Sequence, residues 1–456
     1  MCGESTKPTI EGALEPGPTA GVKATVDMAD LLAVARHVAS QPEVRRTAAG
    51  FIGYGATKPG DRVLIGVDSQ TDPEITQAVA TALRELGATV DVVVAETESD
   101  RTFDDLDELR VAIRREPFTD NPRRWEGTPW IEDLAASRGY DLLVHGKGGA
   151  IPKVSHRYEG FPWVVKDHFD SVTNLFPRDL HRRINERTWS RITDNPGSRM
   201  TLRDPEGTDL SLTIMEAPFT DPGRHDYGLT PKWGHLMAHP PTPIEATDDT
   251  TGVIAGTLNH FSRPFPRIEV DVENARMTGI RGGGVYGNAW RDLEEESKDI
   301  EYPCFPAPGL FWLWEIAIGT NPKISRPSNI DRLTSGGFEW ERRRAGVIHC
   351  GLGTRWRSME EVWAGERRLV YGHLHVHLMR PTLVIETPSG DVPVIQDGRL
   401  SAYDDPDVRD LAAAYGDPDE ILHDDWIPKI PGITVPGSYE DYARDPAAWV
   451  YGSGRA

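Results

Sequence analysis

The segment KPGDRVLIGVDSQTDPEITQAVATALRELGATVDVVVAE, residues 58–96, predicts the fold of the first part of the chain. An apolar run at 62–67 precedes a polar turn, and residues 73–86 then place apolar side chains at helical spacing until Gly87. A second apolar run, at 89–94, follows directly. A strand, a helix and a strand joined by short loops form a βαβ unit, in which the two strands are parallel.

Other runs extend this pattern over the whole chain. The run YDLLVHGKG at 140–148 predicts another strand of the parallel sheet. From residue 198 onward, short β-rich runs alternate with Gly, Pro and Asp turns, which is typical of a β-rich α+β domain. We therefore predict an α/β fold class with a flexible leader at 1–25, a parallel-sheet α/β domain at 26–195 and a β-rich α+β domain at 196–456.

Composition and charge exclude several function classes. The 456 residues carry a formal net charge of −21, which argues against nucleic acid or an anionic membrane as a partner, since both are polyanions. Cys2, Cys304 and Cys350 make no disulfide framework and predict a cytoplasmic protein. The first predicted strand leads into GVDSQTDPE, which is neither a GxGxxG motif nor a P-loop, so no nucleotide site is predicted. A small-molecule substrate remains compatible with all of these features.

The segment YGHLHVHLMRP, residues 371–381, carries His373, His375 and His377 at alternate positions. Side chains of a β-strand alternate between its two faces, so all three imidazoles are expected on the same side. Three neutral imidazoles on one face predict a metal site in the domain at 196–456. One or two of them would be ligands and the remainder supports.

The segment LFWLWEIAIGTNP places Glu315 within an apolar run. A glutamate is almost never buried unless it is paired or bound to a metal, because desolvating its charge is costly. Glu315 is therefore either the partner of an arginine from ERRRAG or the ligand of a cation. A regular strand would place Leu313 and Glu315 on one face and Trp314 on the other.

Two further histidines extend the candidate site. His349 lies between an apolar strand and a glycine turn in AGVIHCGLGT, and His235 lies in KWGHLMAHPP. Either is a candidate proton acceptor, because the imidazole pKa is close to neutrality. Carboxylate and imidazole together suit Fe(II), Zn, Mn or Co. The candidate metal ligands are Glu315, His349, His373, His375 and His377.

Several segments resemble, in order, those of a known superfamily. They are the βαβ stretch with DSQTDPE, then GTLNHFSRPFPRIEVDVENARMTGIRGG, WEIAIGTNP, VIHCGLGT and HVHLM. They resemble the thermophilic M29 metallo-aminopeptidases and their relatives, the 2,5-dihydroxypyridine 5,6-dioxygenases of nicotinic acid breakdown. The resemblance extends over residues 60–395 and implies a homodimer.

The resemblance also implies two alternative sets of metal ligands. The six metal-site positions of the two-metal peptidases fall on His235, Glu315, His349, Trp356, His375 and His377. Three of them depart from the peptidase pattern, since two carboxylates and a tyrosine have become His235, His377 and Trp356. The one-iron dioxygenases imply Glu315 with two histidines of the segment at 371–381, either His375 with His377 or His373 with His375.

We predict from these residues a mononuclear non-haem Fe(II) oxygenase that acts on a small hydroxylated or amino-substituted aromatic or heteroaromatic ring. Two histidines and one carboxylate leave open positions on Fe(II) for a substrate and O₂. The alternative is an M29-type metallohydrolase, an aminopeptidase or amidase, that uses Zn or Co to activate water. A metal-storing or metal-binding protein is the third interpretation.

Overall fold

The computed structural model describes most of the chain. The described residues are 28–40, 57–68, 72–95, 113–114, 130–145, 157–160, 176–215, 235–239, 248–259, 263–303, 305–324, 344–354 and 359–450. The predicted leader at 1–25 lies outside these ranges.

The first part of the chain forms the parallel sheet that its sequence predicts. Its elements are α1 (Met28–Ser40), β1 (Arg62–Asp68), α2 (Pro73–Glu85), β2 (Thr89–Ala95), β3 (Ile113–Arg114), α3 (Trp130–Ser137), β4 (Leu142–His145) and β5 (Arg157–Gly160). One sheet has the strand order β2-β1-β4-β5, and each neighbouring pair in it is parallel. The predicted βαβ unit β1-α2-β2 and the predicted later strand, β4, are confirmed.

Helix α2 shows why this unit forms. Pro73 lies in the first turn, where its missing N–H costs no helical hydrogen bond. Gly87, at φ 88°, ends the segment in a left-handed conformation that glycine adopts without strain. Ile75, Val79 and Leu83 lie four residues apart on one side of the helix and are fully buried in the core of the parallel sheet.

The second part of the chain is rich in strands. Its elements are α4 (Arg178–Thr193), β6 (Arg199–Arg203), β7 (Asp209–Thr213), β8 (His235–His239), β9 (Thr251–Leu258), β10 (Pro264–Glu273), β11 (Arg276–Gly282), α5 (Gly284–Ser297), β12 (Leu313–Gly319), β13 (Ile348–Gly353), α6 (Met359–Glu366), β14 (Tyr371–Leu378), β15 (Thr382–Thr387), β16 (Gly390–Gln396), β17 (Arg399–Leu400), a 3₁₀ helix (Ser401–Asp404), α7 (Pro406–Ala413), α8 (Pro418–Ile421), α9 (Tyr439–Arg444) and α10 (Ala447–Val450). The prediction that this part of the chain is rich in β-strands is confirmed.

These strands form two antiparallel sheets. One has the order β11-β10-β9-β7-β6-β15-β16-β17 and the other the order β3-β14-β13-β12-β8. The sheets approach closely at Gly256 of β9, where an added Cβ would lie 2.7 Å from Val376 Cγ1 and 2.8 Å from the carbonyl oxygen of His377 on β14. A large apolar core fills the second part of the chain. A parallel sheet followed by antiparallel sheets is the fold class that the sequence predicts.

Contacts join the two parts of the chain. The short strand β3 pairs with β14, so a segment from the first part completes one edge of the five-stranded sheet. Ile324, which follows β12, is buried in the core of the parallel sheet.

The predicted domain boundaries remain a prediction. Among the described residues, no helix is both long enough and apolar enough to cross a membrane.

Two carboxylates are buried near the turn between β6 and β7. Asp204 accepts hydrogen bonds from the backbone N–H groups of Glu206 and Arg380, each at 2.9 Å. Glu206 accepts hydrogen bonds from the hydroxyls of Thr257 at 2.9 Å and Tyr439 at 3.3 Å. Burial, with a contribution from the charge of Asp204, raises the pKa of Glu206 to about 8.

We expect the Glu206→Gln variant to gain stability over the parent protein as the pH rises. The ordinary pKa of the carboxyl is 4.5, so between this value and about 8 the folded state holds a proton that the unfolded chain has released. The parent's free energy of unfolding therefore falls across this interval, by at most about 1.4 kcal/mol per pH unit, whereas glutamine does not ionise. Thermal unfolding at several pH values measures the difference. A difference in Tm between the variant and the parent protein that does not change with pH would contradict the expectation.

Candidate metal centre

Three neighbouring strands, β12, β13 and β14, bring three chemically active side chains to one face of the five-stranded sheet. In the antiparallel register Glu315 lies opposite Gly351, and Gly351 lies opposite His375. His349 precedes Gly351 by two residues on β13, so its side chain points to the same face. Residues that are far apart in the chain therefore meet in one row across the sheet.

The opposite face of these strands explains why they form. Its side chains are fully buried in the main core, and they are Ile316, Ile318, Ile348, Cys350, Leu352, Leu374, Val376 and Leu378. A slip of one residue in β14 would exchange this face for the one that carries His375, so the apolar pattern fixes the register. Burial also raises the pKa of the Cys350 thiol, and the charges of Glu315 and Asp204 add to this rise.

The carboxylate of Glu315 lies between two imidazoles. His349 Nε2 is 2.8 Å from Glu315 Oε1, and His375 Nε2 is 2.9 Å from Glu315 Oε2. Both histidines are fully buried, and Glu315 is 3% exposed. In the described part of the chain, this Glu-His-His triad is the one group of three or more such side chains that offers ligand atoms within 4.8 Å of one another.

The donor set of the triad fits a divalent cation. One carboxylate oxygen and two imidazole nitrogens are ligands that Fe(II), Zn, Mn and Co accept in proteins. A cation would offset the buried negative charge of Glu315, which is otherwise costly in an apolar environment. Three protein ligands would leave other positions on the ion for a substrate or water.

Gly351 provides the space in which the triad lies. A Cβ at this position would be 2.8 Å from His375 Nε2 and 2.9 Å from Glu315 Oε2. Side chains essentially never approach so closely, so any larger residue would displace the two ligand atoms. Gly351 is not among the residues that the sequence predicts for the site. The sequence feature that could have indicated Gly351 is a glycine inside an apolar strand, because such a glycine often marks the close approach of another group.

Strand β12 is irregular at the site. Its register with β13 shifts between Leu313 and Glu315, which marks a β-bulge at Trp314. Leu313 and Ile316 both belong to the main core, and Glu315 points away from it. The expectation that Leu313 and Glu315 share a face is therefore wrong, because it assumed a regular strand. Trp314 instead packs edge-on against His375, with the ring centroids 6.0 Å apart.

Aromatic side chains next to the triad form a cluster separate from the main core. Trp312 and Trp314 pack with the partly buried Phe305 and Ala307. Each tryptophan is 7% exposed. The two tryptophans thus lie in a small apolar cluster of their own beside His375.

The remaining candidate residues lie on the same sheet. His377 is fully buried, and its ring centroid is 5.9 Å from that of His349. His373 lies on β14 and His235 on β8, and for both only the backbone position is described. Of the two alternate histidines whose side chains are described, His375 joins Glu315 and His349 in the triad and His377 does not.

Two solved structures are similar to this chain over most of its length. One is 2,5-dihydroxypyridine dioxygenase from Pseudomonas putida KT2440, at 15% identity and a TM-score of 0.44, with 83% of this chain and 99% of that chain covered. The other is AmpT from Thermus thermophilus, an M29 aminopeptidase, at 12% identity and a TM-score of 0.45, with 82% and 99% covered. No protein-family model matches the sequence, and neither does any curated protein.

Proposed function

We propose that this protein is a metal-dependent enzyme whose triad holds one Fe(II) ion for an oxygenase reaction on a small aromatic or heteroaromatic ring. The observation that carries the proposal is the set of one carboxylate and two imidazoles on one face of the sheet. The Nε2 atoms of His349 and His375 lie 2.8 and 2.9 Å from the carboxylate oxygens of Glu315. Two histidines and one carboxylate on one side of Fe(II) leave its other side open.

The number of carboxylates supports a single ion. In the part of the chain that the structure describes, no fourth Asp, Glu, His or Cys joins the triad at the same spacing. Sites for two ions hold them about 3.5–4 Å apart and need ligands for both. The peptidase pattern has carboxylates at two positions where this sequence has His235 and His377, and a neutral imidazole cannot bridge two ions as a carboxylate can.

Each residue of the site has a distinct part in this proposal. Bound Fe(II) would supply the positions at which a ring and O₂ are brought together. Glu315, His349 and His375 would hold the ion, and His349 would then lack the free lone pair that its predicted role as a proton acceptor requires. Trp314 would present an apolar edge to a flat ring beside His375. We also propose a small-molecule substrate and a homodimer.

The proposal predicts about one iron per chain in protein purified without air. Metal content is measured by elemental analysis, and O₂ uptake is then measured with catechols, aminophenols and hydroxypyridines as trial substrates. The Glu315→Gln variant serves as the control, because it keeps the shape of the side chain and removes its charge. We expect that variant to lose both the iron and the O₂ uptake.

Zinc or cobalt in place of iron would overturn the oxygenase proposal. The same donor set also occurs in catalytic zinc sites, where two histidines and a glutamate leave a position for water. In that outcome peptides and amides become the substrates to test. Protein that binds no divalent metal at all would overturn the enzyme proposal with it.

A further inference from the structure

Two polar groups beside the triad have no hydrogen-bonding partner. The indole N–H of Trp312 is buried, and among the described residues no acceptor lies within hydrogen-bond distance of it. The guanidinium of Arg276 likewise makes no ion pair or hydrogen bond with any residue that the structure describes. A buried donor without an acceptor is costly, so such groups usually meet a ligand or an ordered water.

The two groups lie next to each other. The Arg276 guanidinium carbon is 5.5 Å from the centre of the Trp312 ring, within the range of a cation–π contact. The backbones of Arg276 and Trp312 also pair as an isolated antiparallel bridge. Gly309 leaves room for the guanidinium, because a Cβ there would lie 3.1 Å from Arg276 Nη2. Arg276 is thus oriented by the indole while its N–H groups stay free to donate.

Contacts connect this pair to the triad. Trp312 packs with Trp314 in the same aromatic cluster, and Trp314 packs edge-on against His375. The order from the metal site outward is therefore His375, Trp314, Trp312 and Arg276. Two residues along a strand span about 6.5–7 Å, so the free donors lie roughly one aromatic ring beyond the triad.

Arg276 forms no ion pair within the described residues, although the chain is rich in carboxylates. The chain has 71 acidic and 50 basic side chains, so an arginine without an acidic partner is unexpected. Glu294 is the acidic group whose charge interacts with Arg276, but the two do not approach to the distance of an ion pair. A half-buried, unpaired cation next to an unpaired N–H favours a negatively charged oxygen ligand.

We propose that Arg276 and Trp312 bind a carboxylate of the substrate at the end remote from the metal. This inference rests on the proposed function, and it narrows the substrate class to aromatic or heteroaromatic rings that carry a carboxylate on a short arm. One planar guanidinium and one N–H match the two oxygens of a carboxylate. Arg276 and Trp312 therefore determine specificity and take no part in the reaction at the metal.

A matched pair of ligands tests the proposal. Titration calorimetry compares 3,4-dihydroxyphenylacetate with 3,4-dihydroxyphenylacetamide on the full chain loaded with Zn²⁺, which prevents turnover. We expect the parent protein to bind the acid more than about tenfold more tightly than the amide, since hydrogen bonds to a charged group contribute at least this much. The Arg276→Met variant should bind the two ligands within about twofold of each other, and Trp312→Phe should weaken binding of the acid several-fold.

The Arg367→Met variant is the control for loss of a stacked arginine. Arg367 lies over the Trp363 ring at 4.8 Å but is paired with Glu366 at 3.4 Å, and its loss should leave the preference unchanged. Equal affinity for acid and amide in the parent, or an unchanged preference in Arg276→Met, overturns the inference. These results are independent of iron content and O₂ uptake, so failure of the carboxylate site and failure of the oxygenase proposal are distinguishable.

Discussion

The His375→Ala variant is expected to lose its bound metal while keeping its fold. His375 supplies one of three ligand atoms, and its Nε2 lies 2.9 Å from the Glu315 carboxylate. Loss of a residue that merely supports a ligand weakens metal binding about 10- to 100-fold, so removal of a ligand should weaken it by more than about 100-fold. Elemental analysis after dialysis, together with circular dichroism, measures metal content and fold separately.

The matched control for this variant is His377→Ala. His377 lies two residues along the same strand and is equally buried, yet it does not belong to the triad. Both substitutions remove a buried imidazole from β14, so they share any general cost of a cavity. Metal should be lost from His375→Ala and retained by His377→Ala. The reverse pattern, or full retention in both variants, would reject the triad as the metal site.

The Gly351→Ala variant is expected to lose metal through geometry alone, since it changes no ligand. The new Cβ would meet His375 Nε2 at 2.8 Å, Glu315 Oε2 at 2.9 Å and Glu315 Cβ at 3.1 Å. Strands β12, β13 and β14 are hydrogen-bonded to each other, so the backbone cannot separate to make room. The ligand atoms must move instead, and we expect metal affinity to fall by more than about 100-fold, as for an altered ligand. Metal titration followed by competition with a chelator measures the change.

Gly256→Ala provides a steric control on the other face of β14. Its Cβ would meet Val376 Cγ1 at 2.7 Å and the His377 carbonyl oxygen at 2.8 Å, so the clash is as severe as at Gly351. This variant should lower Tm, because overpacking typically costs about 1–3 kcal/mol. Folded Gly256→Ala protein should still bind the metal. Equal metal loss in the two glycine variants would show that Gly351 acts through overall stability and has no special part in the site.

Local sequence patterns were sufficient for the βαβ unit of the parallel sheet. The apolar runs at 62–67 and 89–94, with the amphipathic segment between them, belong to one βαβ unit whose pairing is set by a short connection. The order of the five-stranded sheet had no comparable signal. Strands β8, β12, β13 and β14 are separated by long segments, and the pairing of β3 with β14 joins residues some 260 positions apart.

The site was predictable as a set of residue types but its geometry was not. Glu315 and His349 stood out because polar groups in apolar strands need a partner. The presence of His375 in the triad depends on the register of β14 against β13, which places His375 opposite Gly351. The bulge at Trp314 is a departure from strand periodicity, and the alternation of the sequence gives no sign of it.

The pairing of β3 with β14 also bears on how this protein can be divided. Tyr371 and Gly372, at the start of the strand that carries His375, take their outer backbone neighbours from Ile113 and Arg114. A chain that began after residue 114 would leave the outer backbone groups of Tyr371 and Gly372 without these partners, and unpaired strand edges can pair with strands of other molecules. The metal-binding part of the chain is therefore expected to aggregate more readily when it is produced without residues 1–114 than within the full chain.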